Sequence, residues 1–388
     1  MSDRKPPYIS VVIPARNEEA WIERAVTSVQ EQRYDGDLEI LVVVAAGSEA
    51  TRRIVERLQR SDSRIRLVTN PARRTPEALN LGIRAARGEL IARVDAHGWL
   101  EPGYLRAAVD VLARTRAAAV GGRVEFVGVG RIGRAIALAE QSRLGSGGAA
   151  FRVARHEIAA DGLRWGVFRK ELFEEVGLFD PRFERNQDDE LCYRAILAGE
   201  RLIVTPAMRF KQVVRPHFRA LWSQYSQWGT FRAHTLLTHR RPATARQVAP
   251  ACLVLVIGLS IAVEAASRGR LPVGRVVVAG YGLSVLAGGS VEAFLAREPG
   301  LVPAVPVAIA TMHASYGLGF WSGLARMLRR GPAARRQPEQ KSLEVFQPGP
   351  SELAGDPEWP LGSPGGDKVG ELDTNQLIGE ITIKEIRV

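Results

Sequence analysis

Short apolar runs alternate with amphipathic stretches along the first third of the chain. The apolar runs predict strands at residues 9–13, 38–44, 65–68 and 90–94, and apolar residues at helical spacing predict helices at 17–29, 49–59 and 75–87. Asn17, Ser48 and Thr75 are the expected N-caps of these helices. Unbroken apolar strands are typical of a parallel sheet that is buried on both faces. The pattern therefore predicts an α/β fold with a mostly parallel sheet flanked by helices.

Three nearly uncharged segments lie near the other end of the chain, at residues 248–263, 276–291 and 301–321. A membrane span needs roughly 20 apolar residues, so the first two are marginal and the third is long enough; buried core helices are the alternative. Basic residues at 239–246 and 326–336 favour both ends on the cytoplasmic side, whereas three full spans would place them on opposite sides. We expect a first domain over 1–240, membrane-associated helices over 247–330 and an acidic, Pro/Gly-rich, disordered tail over 331–388.

Charge and cysteine content narrow the class of protein. The net charge is +11. A basic protein suits nucleic acid, an anionic membrane or phosphorylated substrates, and the apolar segments favour the membrane. The sequence contains no nucleic-acid-binding motif, so we expect no nucleic-acid partner. Cys192 and Cys252 lack a metal-ligand spacing, and the N-terminus lacks an apolar signal-peptide core. Both features predict a first domain in the cytoplasm.

Two pairs of neighbouring residues are the candidates for chemistry. Asp95 and His97 directly follow the fourth predicted strand, at the edge where open α/β sheets bind their ligands. A carboxylate and an imidazole this close could hold a divalent cation, although a solvated loop pair is the plain alternative. Asp188 and Asp189 begin a predicted helix, where ionised carboxylates are favoured and a general base could act, or where they merely cap the helix. The first strand–helix turn, residues 14–19, has no G-x-G-x-x-G and argues against a nicotinamide-dependent dehydrogenase.

These motifs, in this order, resemble glycosyltransferase family 2, whose GT-A fold is Rossmann-like. The resemblance spans residues 8–240 and rests on segments 9–18, 78–83, 86–89, 95–97, 168–180 and 187–190. The D-A-H form at 95–97, the glycine-rich segment 145–148 and the apolar C-terminal part are most similar to the succinoglycan-type glucosyltransferases of bacterial exopolysaccharide assembly. The resemblance implies a UDP-sugar donor, glucose as the sugar, inversion at the anomeric carbon, a divalent metal and a lipid-linked or polysaccharide acceptor.

The resemblance also implies roles for individual residues. Asp188 would be the catalytic base, with Asp189 as the second candidate. Asp95 would contact the donor ribose or the metal, and His97 would bind the metal; because His97 replaces an aspartate, Mn²⁺ suits the pair better than Mg²⁺. The expected donor-binding residues are Pro14, Ala15, Arg16, Asn17, Glu18, Ala46, Asn80, Asp95, Ala96, Gln227, Trp228 and Arg232. Arg73, Arg74 and Arg232 are arginines that could assist at phosphate.

Three departures from the family pattern concern the base contact, the Glu-Asp pair and processive synthesis. Residues 45–48 read Ala-Ala-Gly-Ser where the family has Asp-Asp-Gly-Ser, so the acidic contact to the nucleotide base is missing. Gln187 stands at the Glu of the family's Glu-Asp pair, and Gln227 replaces the Arg of Q-x-x-R-W, which argues against processive synthesis. The expected function is an inverting glycosyltransferase of the inner membrane that faces the cytoplasm. A catalytically weak membrane-bound nucleotide-sugar-binding subunit and a nucleotidyltransferase are the alternatives, and the sequence indicates no oligomeric state.

Overall fold

The computed structural model describes residues 5–239 and 244–330. A nine-stranded sheet forms its centre, in the order β3-β2-β1-β4-β8-β6-β9-β5, with β7 paired to β9. The strands are β1 Ile9–Ala15, β2 Leu38–Ala45, β3 Ile65–Asn70, β4 Leu90–Arg93, β5 Gly98–Leu100, β6 Ala119–Val127, β7 Ile158–Ala159, β8 Gly166–Arg169 and β9 Leu202–Val213. The four predicted strands are β1 to β4, and they pair in parallel as expected. The other half of the sheet is mixed, because β8 runs antiparallel to both β4 and β6.

Thirteen α-helices lie within the described residues. They are α1 Ile22–Gln30, α2 Glu49–Ser61, α3 Thr75–Ala85, α4 Tyr104–Thr115, α5 Gly130–Gln141, α6 Arg143–Ser146, α7 Ala150–Val153, α8 Lys170–Val176, α9 Gln187–Leu197, α10 Phe218–His239, α11 Ala245–Ala266, α12 Val273–Leu295 and α13 Ala304–Arg330. All eight residues of β2 are buried, which agrees with a strand that is covered by helices on both faces.

Of the three predicted N-caps, Ser48 holds that position in α2, whereas Asn17 and Thr75 do not hold it in α1 and α3. Asn17 lies five residues before α1 in a left-handed conformation, with φ of 54°, and its side-chain oxygen accepts a 3.0 Å hydrogen bond from the Ser48 hydroxyl. Ser48 precedes α2 but makes no side-chain cap, because its hydroxyl is used in that contact. Thr75 is the first residue of α3 and follows the N-cap Arg74. The loops after β1 and β2 therefore hold each other in place.

The three apolar C-terminal segments form α11, α12 and α13, but their ranking differs from the prediction. Among the described residues, α11 and α12 are long and apolar enough to cross a membrane, with mean hydropathies of 2.3 and 1.4 over 18 consecutive residues. The third segment, predicted to be the best span, belongs to α13, where Val305, Ala308 and Ile309 are fully buried in the same hydrophobic cluster as the sheet. Much of α13 is thus a core helix of the main body.

Helices α10 and α13 pack unusually closely because three glycines lie at their contact. A Cβ atom at Gly229 would overlap the carbonyl oxygen of Tyr316, and one at Gly319 would overlap that of Ser226. A Cβ at Gly323 would lie 2.8 Å from the Cα of Thr230. Backbones that approach this closely tolerate no side chain between them.

Candidate functional site

The carboxyl ends of β1 and β2 form an open cleft at one edge of the sheet. It has a volume of about 180 Å³ and is lined by Arg16, Asn17, Ala46, Gly47, Ser48 and Arg73. Gly47 has a φ of 87°, and a Cβ there would come within 3.4 Å of the Arg73 guanidinium, so the turn leaves room for that side chain. Three predicted donor-binding residues therefore line one cleft, and the arginine noted at position 73 joins them.

Arg93, which the sequence analysis missed, lies between the two predicted acidic groups. Its Nε donates a 2.9 Å hydrogen bond to Asp95 Oδ1, and its Nη1 lies 3.8 Å from Asp188 Oδ2 without a hydrogen-bond partner. Only 7% of the Arg93 side chain is exposed. The available signal was a cation inside the otherwise apolar strand β4, since such a residue is almost never buried without a partner. Arg93 thus brings Asp95 and Asp188 to one place.

The electrostatic surroundings shift the pKa values of Asp95 and Asp188 in opposite directions. Burial opposes ionisation of Asp95, but the charge and hydrogen bond of Arg93 outweigh it and lower the pKa of Asp95 to about 2. Burial raises the pKa of Asp188 above its usual value, and the Asp189 carboxylate adds to this increase, while Arg93 opposes it. A raised pKa makes a carboxylate a stronger proton acceptor, which a general base requires.

Asp188 and Asp189 differ in what they contact. The Asp189 carboxylate forms an ion pair with Arg232, a buried residue of α10. Asp188 Oδ1 accepts a 3.0 Å hydrogen bond from the Asp189 backbone N–H, and its Oδ2 faces Arg93. Arg232, predicted to bind the donor, thus pairs with Asp189, and among the described residues no hydrogen bond reaches Asp188 Oδ2.

A chain of hydrogen bonds passes through His97. Arg164 Nε donates to Gln212 Oε1 at 3.1 Å, so the amide nitrogen of Gln212 must point to His97 Nε2, 3.0 Å away. His97 Nε2 then accepts that bond, and His97 Nδ1 is left to donate to Glu18 Oε1 at 3.3 Å. The network assigns the neutral tautomer of His97 that carries its proton on Nδ1.

The donor atoms near Asp95 suit a cation only when further oxygen ligands are supplied. Within residues 5–239 and 244–330, no group of three or more His, Cys, Asp or Glu side chains converges to hold a metal. Asp95 is ionised and 14% exposed, and the His97 side chain is 29% exposed. Mg²⁺ and related ions in nucleotide enzymes commonly take one or two protein ligands and complete their shell with substrate phosphates. The pair fits a cation that is shared with a diphosphate.

The remaining predicted site residues lie in different surroundings. Asn80 is buried, and both polar atoms of its amide bond to the backbone of Phe179, so it joins α3 to the segment after α8. Gln227 accepts a 3.1 Å hydrogen bond from Arg185, and the Trp228 ring faces the Arg164 guanidinium at 5.3 Å. Pro14 and Ala15 end β1, and Ala96 is buried between Asp95 and His97.

Comparisons with known proteins agree with this architecture. A family model described as glycosyl transferase family 2 matches residues 10–177. A mannosyltransferase from Pyrobaculum calidifontis, solved in complex with GDP-Man and Mn²⁺, has a similar fold, with a TM-score of 0.52 and 22% identity over 79% of this chain and 88% of that one. The fold is therefore the GT-A-like α/β fold with apolar C-terminal helices, as predicted. Residues 10–177 of the chain thus match a glycosyl transferase family 2 domain.

Two relatives refine the comparison. The succinoglycan biosynthesis protein ExoA of Rhizobium meliloti is 29% identical over 324 residues, which cover 82% of this chain and 96% of the relative. A GalNAc(5)-diNAcBac-PP-undecaprenol beta-1,3-glucosyltransferase of Campylobacter jejuni is 34% identical over 101 residues, 26% of this chain and 32% of that protein. Relatives of this chain thus act in polysaccharide and lipid-linked glycan synthesis.

Proposed function

We propose that the protein transfers a hexose, with inversion, from a nucleotide-sugar to a lipid-linked or polysaccharide acceptor at the cytoplasmic face of the cell membrane. The observation that carries the proposal is the position of Asp95 and Asp188 on either side of the buried Arg93. This arrangement places an ionised carboxylate and a carboxyl of raised pKa at one edge of the sheet, the edge at which the cleft at Arg16 and Arg73 opens.

Asp188 is the proposed general base. Its Oδ2 takes the proton from the acceptor hydroxyl, and that oxygen forms a bond to the anomeric carbon of the donor sugar. The bond from the anomeric carbon to the diphosphate oxygen breaks on the opposite face, and its electron pair leaves with the nucleoside diphosphate. Arg93 keeps Asp188 close to Asp95 and limits the increase in the pKa of Asp188. A single displacement of this kind inverts the configuration of the sugar.

Asp95 and His97 are the residues that would hold a divalent cation, Mn²⁺ or Mg²⁺, together with the donor diphosphate. When bound, the cation would neutralise negative charge on the leaving diphosphate. A bound cation would use the nitrogen of His97 that now accepts from Gln212, so Gln212 would have to turn away. The mannosyltransferase of similar fold, solved with Mn²⁺, supports the choice of cation.

The cleft at the ends of β1 and β2 is the proposed nucleotide site. Arg16 and Arg73 lie beside each other there, and Arg16 Nη1 donates to the Arg73 carbonyl oxygen at 3.2 Å. Two guanidiniums can donate to carbonyl oxygens of a base or to phosphate, and Ala46 contributes no carboxylate. UDP-glucose is the proposed donor, because the family resemblance implies a UDP-sugar and the Campylobacter jejuni relative is a glucosyltransferase.

Helices α11 and α12 are proposed to cross the membrane as a hairpin. Arg246, near the start of α11, donates a 2.5 Å hydrogen bond to Asp161, and Glu298, just after α12, lies 3.1 Å from Arg134 of α5. Both ends of the hairpin therefore contact the sheet domain. Two spans return the chain to the side it left, which reconciles the basic residues before α11 with those at the end of α13.

The test is release of nucleoside diphosphate from a panel of UDP-, GDP- and dTDP-sugars by the full chain in lipid, with Mn²⁺ or Mg²⁺ and a membrane extract as acceptor source. Asp188→Asn keeps the shape of the side chain but removes the base, and we expect a loss of about 10²–10⁴-fold in kcat. Asp110→Asn, an exposed position on α4, is the matched control and should retain wild-type turnover. Equal turnover in the Asp188 variant would exclude the mechanism, and release of pyrophosphate would indicate a nucleotidyltransferase.

A further inference from the structure

Three arginines from separate loops converge beside the middle of α10. Arg164 precedes β8, Arg185 precedes α9, and Arg215 lies in the loop after β9. Arg185 Nε donates to Gln227 at 3.1 Å, and the Arg164 guanidinium lies over the ring of Trp228, the next residue of α10. Arg164 and Arg185 are half-buried, whereas Arg215 is exposed, so the group opens to solvent. We call these three residues the arginine cluster.

The arginine cluster lacks the counterions that other arginines of the site have. Among the residues that the structure describes, no carboxylate oxygen lies within 4 Å of Arg164, Arg185 or Arg215, whereas Arg93 and Arg232 each have an aspartate partner. Burial lowers the pKa of Arg185, and the like charge of Arg215 lowers it further. Guanidiniums held near one another without carboxylates repel, and an anion between them would relieve that repulsion.

The two carboxyls that face Arg215 are already engaged elsewhere. The carboxyls of Glu18 and Glu140 raise the pKa of Arg215, while the like charge of Arg164 lowers it. Glu18 accepts the hydrogen bond from His97, and Glu140 is buried beside Arg152, with a pKa that burial raises above its usual value. Neither side chain closes an ion pair with the arginine cluster, so its positive charge remains available to a ligand.

We propose that the arginine cluster binds the diphosphate of a lipid-linked acceptor, an inference that rests on the proposed function. Three guanidinium forks match the charge and the oxygen geometry of a diphosphate. The nucleotide cleft, lined by Arg16, Asn17, Ala46, Gly47, Ser48 and Arg73, shares no residue with the cluster but adjoins it, because the charge of Arg16 helps to lower the pKa of Arg185. The cluster lies beside α10, which packs along α13, and α10 and α13 in turn contact α11. That side is the one from which a membrane lipid would present its phosphates.

The test uses inorganic pyrophosphate as the probe and the full chain in detergent micelles, without added divalent cation. Titration calorimetry is done with and without saturating UDP. We expect pyrophosphate to bind equally in both cases, and to bind at least tenfold more weakly to Arg185→Gln and to Arg215→Gln. Arg114→Gln, an exposed arginine of α4 that pairs with Glu157, is the control and should bind as wild type does. Farnesyl diphosphate, a short lipid diphosphate, should compete for the site.

Each other outcome overturns the inference. Displacement of pyrophosphate by UDP would assign the arginine cluster to the donor, and unchanged binding in both variants would mean that the cluster holds no diphosphate. In turnover, the two variants should raise the acceptor KM about tenfold and leave the donor KM unchanged; the reverse would again assign the cluster to the donor. The binding measurement needs no turnover. An active Asp188→Asn variant, or an inactive Asp110→Asn control, would count against the proposed function, but neither result would decide whether the arginine cluster binds a diphosphate.

Discussion

Replacing Arg93 by Met tests whether the buried cation controls the proposed base. Methionine has a similar length and no charge, so Asp188 loses the guanidinium that lies 3.8 Å from its Oδ2. Two unit charges at that distance attract by ~4 kcal/mol at an effective dielectric constant of about 20. Since 1.36 kcal/mol corresponds to one pKa unit, removal can raise the pKa of Asp188 by up to about three units. Rearrangement and water entry reduce this, so we expect an increase of about one to three.

The assay is kcat as a function of pH from 5 to 9, for wild type, Arg93→Met and Arg93→Lys. A general base works in its ionised form, so a higher pKa of Asp188 moves the acidic limb of the profile upward. On the acidic limb, where both proteins hold Asp188 mostly protonated, turnover of Arg93→Met should be about 10–1000-fold lower than wild type and should recover as the pH rises. Arg93→Lys keeps the charge and should remain closer to wild type. A methionine variant with the wild-type profile, scaled down equally at every pH, would refute the electrostatic role.

Three further changes test the site and the fold. Asp189→Asn removes a charge that raises the pKa of Asp188, so the acidic limb should move to lower pH; a collapse of kcat at every pH would instead make Asp189 the base. Glu39 is buried, and burial raises its pKa, but hydrogen bonds from Ser10, the Arg87 backbone and Arg66 lower it overall. Glu39→Gln should therefore lower the free energy of unfolding by about 1–3 kcal/mol at pH 7, measured by urea unfolding, and the difference should vanish as the pH falls below the ordinary carboxyl value of 4.5. Gly229→Ala should cost about 1–3 kcal/mol through overlap with α13, read as a lower Tm, whereas Gly258→Ala, with nothing within 4 Å, should be neutral; equal Tm values would contradict the close packing.

Local pattern was enough to predict the first half of the sheet. Strands β1 to β4 are short apolar runs separated by amphipathic helices, and that alternation has few competing interpretations. Ser48 is the N-cap of α2 but makes no capping hydrogen bond, because its hydroxyl bonds to Asn17 across two loops, a tertiary contact that local pattern does not show. Strands β5 to β9 pair across long separations in the chain, as Ala119 does with Leu202, and local periodicity carries no information about such partners.

Hydrophobicity alone also could not assign the C-terminal helices. The segment at 301–321 is apolar enough for a span, yet its partner is the sheet domain, while α11 and α12 have most of their side chains exposed. In the candidate site, the sequence indicated both Asp95 and Asp188 through their family positions. The sequence did not indicate Arg93. Only the fold shows that the end of β4 meets the start of α9, so that Arg93 is a neighbour of both Asp95 and Asp188.

The glycine contacts between α10 and α13 determine how the enzyme can be isolated. Helix α10 supplies Arg232 to Asp189, and α13 covers α10 along an interface too close to admit solvent or a replacement side chain. A soluble fragment that ends near residue 240 would leave that glycine-lined face of α10 bare and would loosen the helix that holds Asp189. Purification should therefore retain the whole C-terminal helical region in a detergent or a lipid disc. Removal of the apolar helices together with α13 would also remove the support of the helix that holds Asp189.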